Sequence, residues 1–217
     1  MIPYWLSRDL AVSNVFDMNG MFLLTAPNMA GKSTLMRSAL ATALLGNSGL
    51  FVPCLSANIP RFDSFFLRTA SYDVPSEGKS AFALEMEDVR IMLRDSTARS
   101  IVMVDELGKG TSARDGASLA GAILEELNQR QCLGVFATHL HELFDLPLDL
   151  MNTTNKRMGI EHVVGGSPKW TYTLEDGLCT DSLAMQTAMA YCIPDSIVKR
   201  AQKLGEHFDA FCRQNGD

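Results

Sequence analysis

Four short stretches of the chain consist of apolar residues without the polar alternation of a half-exposed strand. Uninterrupted apolar runs of this length are typical of strands buried on both faces, as in a parallel sheet covered by helices. The pattern therefore predicts four core strands, from Met21 to Leu24, from Phe65 to Leu67, from Ile101 to Val104 and from Leu133 to Ala137.

Helical stretches lie between the predicted strands. The stretch from Lys32 to Leu45 is rich in Ala and Leu, and the stretch from Ala117 to Leu127 follows Asp115, which is a candidate N-cap. A third helix has one buried face, formed by Phe82, Met86, Val89 and Leu93. Because strands and helices alternate, we expect an α/β fold with an open, mostly parallel sheet flanked by helices.

The pattern changes toward the C-terminus. Val163-Val164 and the stretch from Trp170 to Leu174 flank two glycines and predict a hairpin. Two helices separated by a proline follow, from Ser182 to Tyr191 and from Pro194 to Phe211. The second helix has an apolar stripe that such a small element cannot bury alone, so we expect it to dock on the core or on another chain. We accordingly divide the chain into an α/β domain, residues 1–180, and a C-terminal helical element, residues 181–217. The stripe consists of Ile197, Ala201, Leu204 and Phe208.

Composition narrows the class of protein. With 217 residues, 47% of them hydrophobic and 20% charged, the chain can bury one sizeable core. The net charge of −6 lacks the basic character expected of a domain that binds DNA phosphates by itself. No apolar run reaches the ~18 residues that span a bilayer, and the N-terminus has no targeting pattern. We expect a soluble, intracellular protein without a membrane partner, in a nucleus, an organelle or a bacterial cytoplasm.

A candidate phosphate-binding loop follows the first predicted strand and opens the first helix. In that position, successive backbone N–H groups and the helix N-terminus bind phosphates, Lys32 reaches the β and γ oxygens, and the Ser33 hydroxyl ligates Mg²⁺. Ala26 stands where the pattern GxxxxGK[ST] requires Gly, which is tolerable at negative φ and costly at positive φ. By itself, the segment could equally be an ordinary helix start. The candidate nucleotide-binding residues are Ala26, Pro27, Asn28, Met29, Ala30, Gly31, Lys32, Ser33 and Thr34.

Two carboxylates end the third predicted strand. Ligands of open α/β sheets bind at the carboxyl ends of the strands, and strand alternation should point Asp105 and Glu106 in different directions. Asp105 could hold Mg²⁺, and Glu106 could accept a proton from the attacking water. Alone, the pair would be interpreted as a solvated strand end. A phosphate-binding loop upstream favours a site for MgATP, with Lys32 as a further catalytic residue.

Two more polar segments extend this interpretation. His139 follows the fourth predicted strand, where it could hydrogen-bond the γ-phosphate or the hydrolytic water; the alternative is a surface histidine. Ser80 belongs to a glycine-bearing loop, from Ser76 to Phe82, that opens a helix and forms a second candidate anion site. Since one nucleotide does not need two such loops, we expect Ser80 to reach the nucleotide of a partner subunit.

Taken in order, these motifs resemble the MutS family of DNA mismatch-repair proteins. The phosphate-binding loop is similar to the family's GPN-M-[GA]-GKST motif, with Ala26 in place of the first Gly. Residues 104–112 are similar to the family's DE-[IL]-GRGTS motif, with Lys109 in place of Arg. The Ser80 loop is similar to the family's SGRSTF stretch. Asp115-Gly116 follows in the family's order and spacing. The closing helices resemble the family's helix-turn-helix. Residues 3–5 and 138–141 look most like the organellar type found in plants.

The resemblance implies the family's fold and activity. The fold would be a P-loop NTPase, similar to the ABC ATPases, with a C-terminal helix-turn-helix dimerisation element. The activity would be Mg²⁺-dependent ATP hydrolysis driving mismatch recognition and repair, in a homodimer or with a paralogous subunit. The serine at 80 would act in trans, and Tyr4 or Trp5 would cover the adenine. Mismatched double-stranded DNA would be bound by domains absent from this chain.

The missing domains and two sequence departures leave alternatives open. We expect a fragment, an excised domain or a degenerate gene product, which alone hydrolyses ATP weakly and reads no mismatch. Ala26 and Lys109 could instead mark an ATP-binding dimerisation module with little or no turnover. A related ABC or chromosome-maintenance ATPase is a further alternative, although we find neither an LSGGQ-like signature nor a glutamine loop.

Overall fold

Six strands form one sheet. The computed structural model describes residues 1–27, 29–69, 80–161, 169–179 and 183–215. Along the sheet the order is β2-β3-β4-β1-β5-β6, and every neighbouring pair is parallel except β5 and β6, which are antiparallel. The predicted mostly parallel α/β sheet is therefore confirmed. The strands are β1 Met21–Thr25, β2 Ser64–Arg68, β3 Ser100–Asp105, β4 Leu133–Thr138, β5 Thr153–Glu161 and β6 Lys169–Asp176.

Five α-helices accompany the sheet in the described residues. Their bounds are α1 Lys32–Asn47, α2 Ala81–Asp95, α3 Ala113–Gln129, α4 Ala184–Ala190 and α5 Asp195–Asn215. The predicted N-cap of α3 is wrong, because the Ser112 Oγ accepts the N–H of Asp115 at 3.2 Å and the helix begins directly after Ser112. Asp115 lies instead in the first turn, where its carboxylate faces the positive end of the helix.

Helices cover both faces of the sheet because the strand residues alternate between them. Met21 and Leu23 pack in a cluster with α3 and part of α2, whereas Phe22 and Leu24 pack with α1 on the opposite face. The buried face of α2 includes Val89, as predicted, together with Met92 and the carboxylate-bearing Glu85. Two apolar layers therefore enclose the sheet, and its carboxyl edge is left for polar side chains.

The fifth strand is the main departure from the predicted topology. β5 pairs with β1 in parallel and with β6 in an antiparallel hairpin, so the first arm of the hairpin lies at 153–161. The predicted first arm, Val163-Val164, lies outside the described residues. β5 contains Asn155, Lys156 and Arg157, and only Met158 and Gly159 of this strand are buried. A strand this polar lacks the apolar run by which the other parallel strands are found.

The C-terminal pair of helices forms as predicted, with a break before Pro194. Val198 is 3% exposed and packs inward, whereas Ile197 and Leu204 of the predicted apolar stripe are 57% and 51% exposed. The side chain of Phe208 lies outside the described residues. Within the described ranges, no helix is both long enough and apolar enough to cross a bilayer.

A pair of glycines packs the loop after β3 onto α3. Gly108 has φ +88°, and a Cβ at Gly116 would lie 2.5 Å from the Gly108 carbonyl oxygen. A side chain at either position would push apart the loop and the helix. The absence of a Cβ at Gly116 thus fixes how closely the polar edge of β3 approaches α3.

We expect Gly116→Ala to lower the free energy of unfolding by about 1–3 kcal/mol, because the added methyl overpacks against backbone. Gly205→Ala is the matched control, since Gly205 lies in α5 and a Cβ added there would have nothing within 4 Å. That change should stabilise the helix by up to about 1 kcal/mol. Urea unfolding measures both values; equal effects of the two substitutions would contradict the close packing.

Candidate nucleotide site

Three parallel strands end together at one edge of the sheet. Thr25 of β1 pairs with Thr138 of β4, and Asp105 of β3 pairs with Ala137 of β4. The loop after β1, the carboxylates after β3 and His139 after β4 therefore lie side by side. The convergence expected from the sequence is present in the structure.

The loop between β1 and α1 has the backbone of an anion site. Gly31 is the N-cap residue of α1 with φ 93°, and no side chain caps the helix, so the first N–H groups remain available to a ligand. Met29 also has a left-handed φ, of 66°. Ala26 does not have a positive φ, which is the condition under which Ala can replace Gly there. Asn28 lies outside the described residues.

Lys32 is buried inside this loop. It is 6% exposed, and its Nζ donates to the carbonyl oxygens of Ala26 at 2.7 Å and Pro27 at 3.5 Å. The same Nζ lies 3.5 Å from Glu106 Oε1. The ammonium is thus held between the loop backbone and the strand-end carboxylate, where phosphate oxygens could replace its present acceptors.

Ser33 and Asp105 join the loop to β3. The Ser33 Oγ donates to Asp105 Oδ2 at 2.6 Å, across 72 residues of sequence. Asp105 Oδ1 is buried and accepts no hydrogen bond from the described residues. An unsatisfied buried carboxylate oxygen is costly unless a cation or a donor binds it. A hydroxyl and a carboxylate at this distance are the oxygen ligands that Mg²⁺ takes beside phosphates, so the donor set fits Mg²⁺.

Glu106 does not follow the strand alternation expected of it. Its φ is 56°, and its N–H donates to the Ala137 carbonyl oxygen at 2.9 Å. This left-handed residue ends the strand and turns the side chain toward the loop, so the two carboxylates contact the adjacent residues Ser33 and Lys32 instead of diverging. The Lys109 Nζ also pairs with Glu106 Oε2.

Opposing effects set the pKa of Glu106. Burial alone would raise the pKa of this carboxyl, but the hydrogen bond from Lys109 and the charges of Lys32, Lys109 and His139 outweigh burial. The net result is a pKa below the usual glutamate value, and the carboxylate is ionised at neutral pH. An ionised carboxylate beside a phosphate loop can accept a proton.

A cleft of about 630 Å³ lies beside the loop. The Tyr172 ring borders it, and its Cδ1 would be 3.0 Å from a Cβ added at Gly31. Tyr4 and Trp5, the candidates for the adenine, pack edge to face with ring centroids 4.9 Å apart and do not line this cleft. Tyr172 was not predicted to lie at the site, because no short-range sequence pattern links a residue of β6 with the loop after β1. From the loop the cleft is lined by Pro27, Met29, Ala30, Gly31, Lys32, Ser33 and Thr34.

His139 lies on the other side of the loop. It is exposed and lines a second cleft of about 720 Å³, together with Lys109, Ala26 and residues of α4. Pro27 borders both clefts, and the charge of His139 still lowers the pKa of Glu106. His139 is thus close to the catalytic carboxylate candidate but does not share the first cleft with it.

Ser80 is the N-cap of α2. Its Oγ accepts the N–H of Ala83 at 3.2 Å, and the residue is exposed at the helix end. The rest of the loop before Ser80, residues 76–79, lies outside the described residues. Within this chain Ser80 does not line either cleft.

Comparison with known proteins identifies the family. A family model described as MutS domain V matches residues 22–209, from β1 into α5. The chain is 48% identical over 204 residues to the mitochondrial DNA mismatch repair protein MSH1 of Arabidopsis thaliana, covering 93% of this chain and 18% of that protein. It is 38% identical over 198 residues to DNA mismatch repair protein MutS of Thermus thermophilus, covering 91% of this chain and 24% of that protein.

The chain therefore spans about a fifth to a quarter of the length of these relatives. Its likeness to the mitochondrial plant protein agrees with the organellar features of residues 3–5 and 138–141. Because the family model matches most of the chain, the chain belongs to the MutS family and contains its domain V, which in that family is a P-loop ATPase domain.

Proposed function

We propose that this chain binds MgATP and hydrolyses it to ADP and phosphate, as the ATPase part of a MutS-type mismatch-repair protein. The observation that carries the proposal is the contact between Ser33 and Asp105, beside an uncapped helix N-terminus and an unsatisfied buried oxygen of Asp105. Such a combination favours a bound phosphate and a divalent cation over a solvated strand end.

Binding is assigned to the loop and to Lys32. The N–H groups at the start of α1 would donate to phosphate oxygens, and the positive end of this 16-residue helix would stabilise their charge. Lys32 would exchange its carbonyl acceptors for β and γ oxygens. The base would enter the first cleft, against Tyr172 or against Tyr4 and Trp5 after a movement of the N-terminal segment.

Ser33 and Asp105 would hold the Mg²⁺ ion. When bound, Mg²⁺ neutralises charge that develops on the phosphate oxygens. The Ser33 hydroxyl lies 2.6 Å from the Asp105 carboxylate, which supports the assignment of both groups to the metal. Asp105 is the last residue of β3, which fixes this metal-ligand candidate relative to Glu106, the next residue.

Glu106 is proposed as the general base. Its ionised carboxylate would accept a proton from the attacking water, once it is released from one of the two lysines that contact it. His139 would hydrogen-bond the γ-phosphate or this water from the second cleft. The low pKa keeps the base ionised but makes it a weak proton acceptor, so we expect slow turnover by the chain alone.

A second copy, or a paralogous subunit, would complete the site. Ser80 is exposed at the start of a 15-residue helix and lines neither described cleft, which supports a role at a partner's nucleotide. Residues 181–217 would form the dimerisation element, a helix-turn-helix, because Ile197 and Leu204 of α5 remain exposed. Mismatched DNA would be bound by other domains of a longer protein.

The contact between Lys109 and Glu106 favours a second candidate function. If Lys109 keeps hold of the carboxylate when nucleotide is bound, the chain would be an ATP-binding dimerisation module with little turnover. Phosphate release from the purified dimer separates the two functions. Release stimulated by Mg²⁺ supports the enzyme, whereas tight binding without release supports the module.

We expect Glu106→Gln to bind MgATP with nearly unchanged affinity and to lose turnover by about 100-fold or more, since general-base catalysis contributes about 10²–10⁴-fold. Calorimetry gives the affinity, and a phosphate-release assay gives the rate. Glu142→Gln, an exposed glutamate in the turn after β4, is the control with the same chemical change. Full phosphate release by Glu106→Gln would remove this residue from the role of base.

Mixing a Ser80→Ala chain with a Lys32→Ala chain tests the shared site. Each mixed dimer should have one site with a native Lys32 and a native Ser80, so activity should exceed that of either chain alone. Loss of the α2 cap costs about 1 kcal/mol, and thermal unfolding must show that the Ser80→Ala chain stays folded. No recovery in mixtures that form dimers would count against a serine supplied in trans.

Lys109→Ala should raise the pKa of Glu106 toward or above the usual glutamate value, because the hydrogen bond that opposes burial is lost. The stabilisation gained from the low pKa is present above the unfolded-state pKa and is lost as the pH falls through the folded-state pKa. In the variant the folded-state pKa approaches the unfolded-state value, so this stabilisation becomes smaller and disappears when the two values are equal. Carbon-13 NMR titration, with Glu106→Gln to assign the carboxyl signal, measures the shift; a lower pKa would refute the role of Lys109.

A further inference from the structure

An ion pair lies buried behind the site, and the proposed chemistry does not use it. Arg68 at the end of β2 is 5% exposed, Glu85 in α2 is 3% exposed, and Arg68 Nη2 lies 2.9 Å from Glu85 Oε1. Removing two charges from water costs several kcal/mol per ion, which their attraction and further hydrogen bonds must offset. The other groups that Arg68 and Glu85 contact therefore indicate the role of this ion pair.

Both members of the pair hold the loop that follows β3. Arg68 Nη1 donates to the carbonyl oxygen of Asp105 at 3.1 Å, and Glu85 Oε1 accepts the N–H of Gly108 at 3.0 Å. The two contacts are made with the backbone on either side of Glu106. One buried ion pair thus fixes both ends of the segment that carries the metal-ligand and base candidates.

That segment needs external support because its backbone is unusual. Glu106 has φ 56° and Gly108 has φ 88°, so two of its residues are left-handed. A left-handed conformation is unfavourable for a glutamate and persists only where surrounding contacts determine it. The described contacts that do so are the bond from Glu106 N–H to Ala137, the packing of Gly108 on Gly116, and the buried pair.

We propose that Arg68 and Glu85 are positioning residues: they hold the backbone of residues 105–108 so that Glu106 faces the phosphate loop. In the part of the chain that the structure describes, they contact this segment through its backbone. The effect on turnover rests on the proposed ATPase function, whereas the effect on the loop backbone does not.

The backbone effect is tested on the native chain and on Glu85→Ala without added nucleotide. Amide hydrogen exchange at Gly108, followed by NMR, should become at least about 10-fold faster in the variant, since the acceptor of this N–H is gone. Exchange at Val102 and Val104 in β3 should stay unchanged. Asp88→Ala removes an exposed carboxylate from the same helix and should alter neither. Unchanged exchange at Gly108, or equal acceleration throughout β3, would overturn the proposal.

A second variant covers the case in which loss of the Glu85 carboxylate prevents folding. Arg68→Met combined with Glu85→Gln removes both charges and keeps an amide oxygen for the Gly108 N–H. We expect this chain to fold and to bind MgATP within about 3-fold of the native affinity. Its kcat should fall by about 10- to 100-fold, as expected when a reacting group is displaced by a fraction of an ångström to about 1 Å.

The split between affinity and kcat separates positioning from a merely structural role. A structural role would lower the melting temperature but leave the kcat of folded protein unchanged, and that result would overturn the proposal. Failure of the native chain to bind MgATP would refute the ATPase function instead. In that case, exchange at Gly108, measured without nucleotide, still decides whether the buried pair holds the loop.

Discussion

The parallel register of β1, β3 and β4 is the constraint on which the site depends. It places Thr25 opposite Thr138 and Asp105 opposite Ala137, so that three strand ends reach the same edge. A shift of one residue in β3 would turn Asp105 to the other face of the sheet. The 2.6 Å contact between Asp105 and Ser33 would then be lost, although every local motif would be intact.

The loop after β3 combines strain, close packing and charge. Glu106 is left-handed, Gly108 approaches Gly116 without room for a side chain, and two lysines contact one carboxylate. The left-handed backbone of Glu106 costs stability, and the three features together place a carboxylate of low pKa beside the start of α1. Strained backbone and other exceptions to local sequence preferences are expected at functional sites, because the chemistry requires a particular arrangement of side chains.

Much of the fold could be predicted because its signals are local. The four apolar strands, the helix after the loop and the break at Pro194 follow from short-range patterns, and the MutS motifs identify the family. β5 was missed because Lys156 and its neighbours make it polar, although β1 and β6 flank it. The N-cap at Ser112 was missed because Asp115 is an equally good capping residue by type.

The sequence by itself determined which groups are available: a Gly-Lys-Ser helix start, a pair of carboxylates after an apolar strand, and a histidine after another. Tertiary structure decided how they meet. It turned Glu106 toward Lys32, placed Tyr172 at the first cleft, and buried Glu85 beside Arg68. These contacts join residues far apart in the chain, and the polar or aromatic side chains that make them would be equally ordinary on the surface. Only the packed sheet gives them partners.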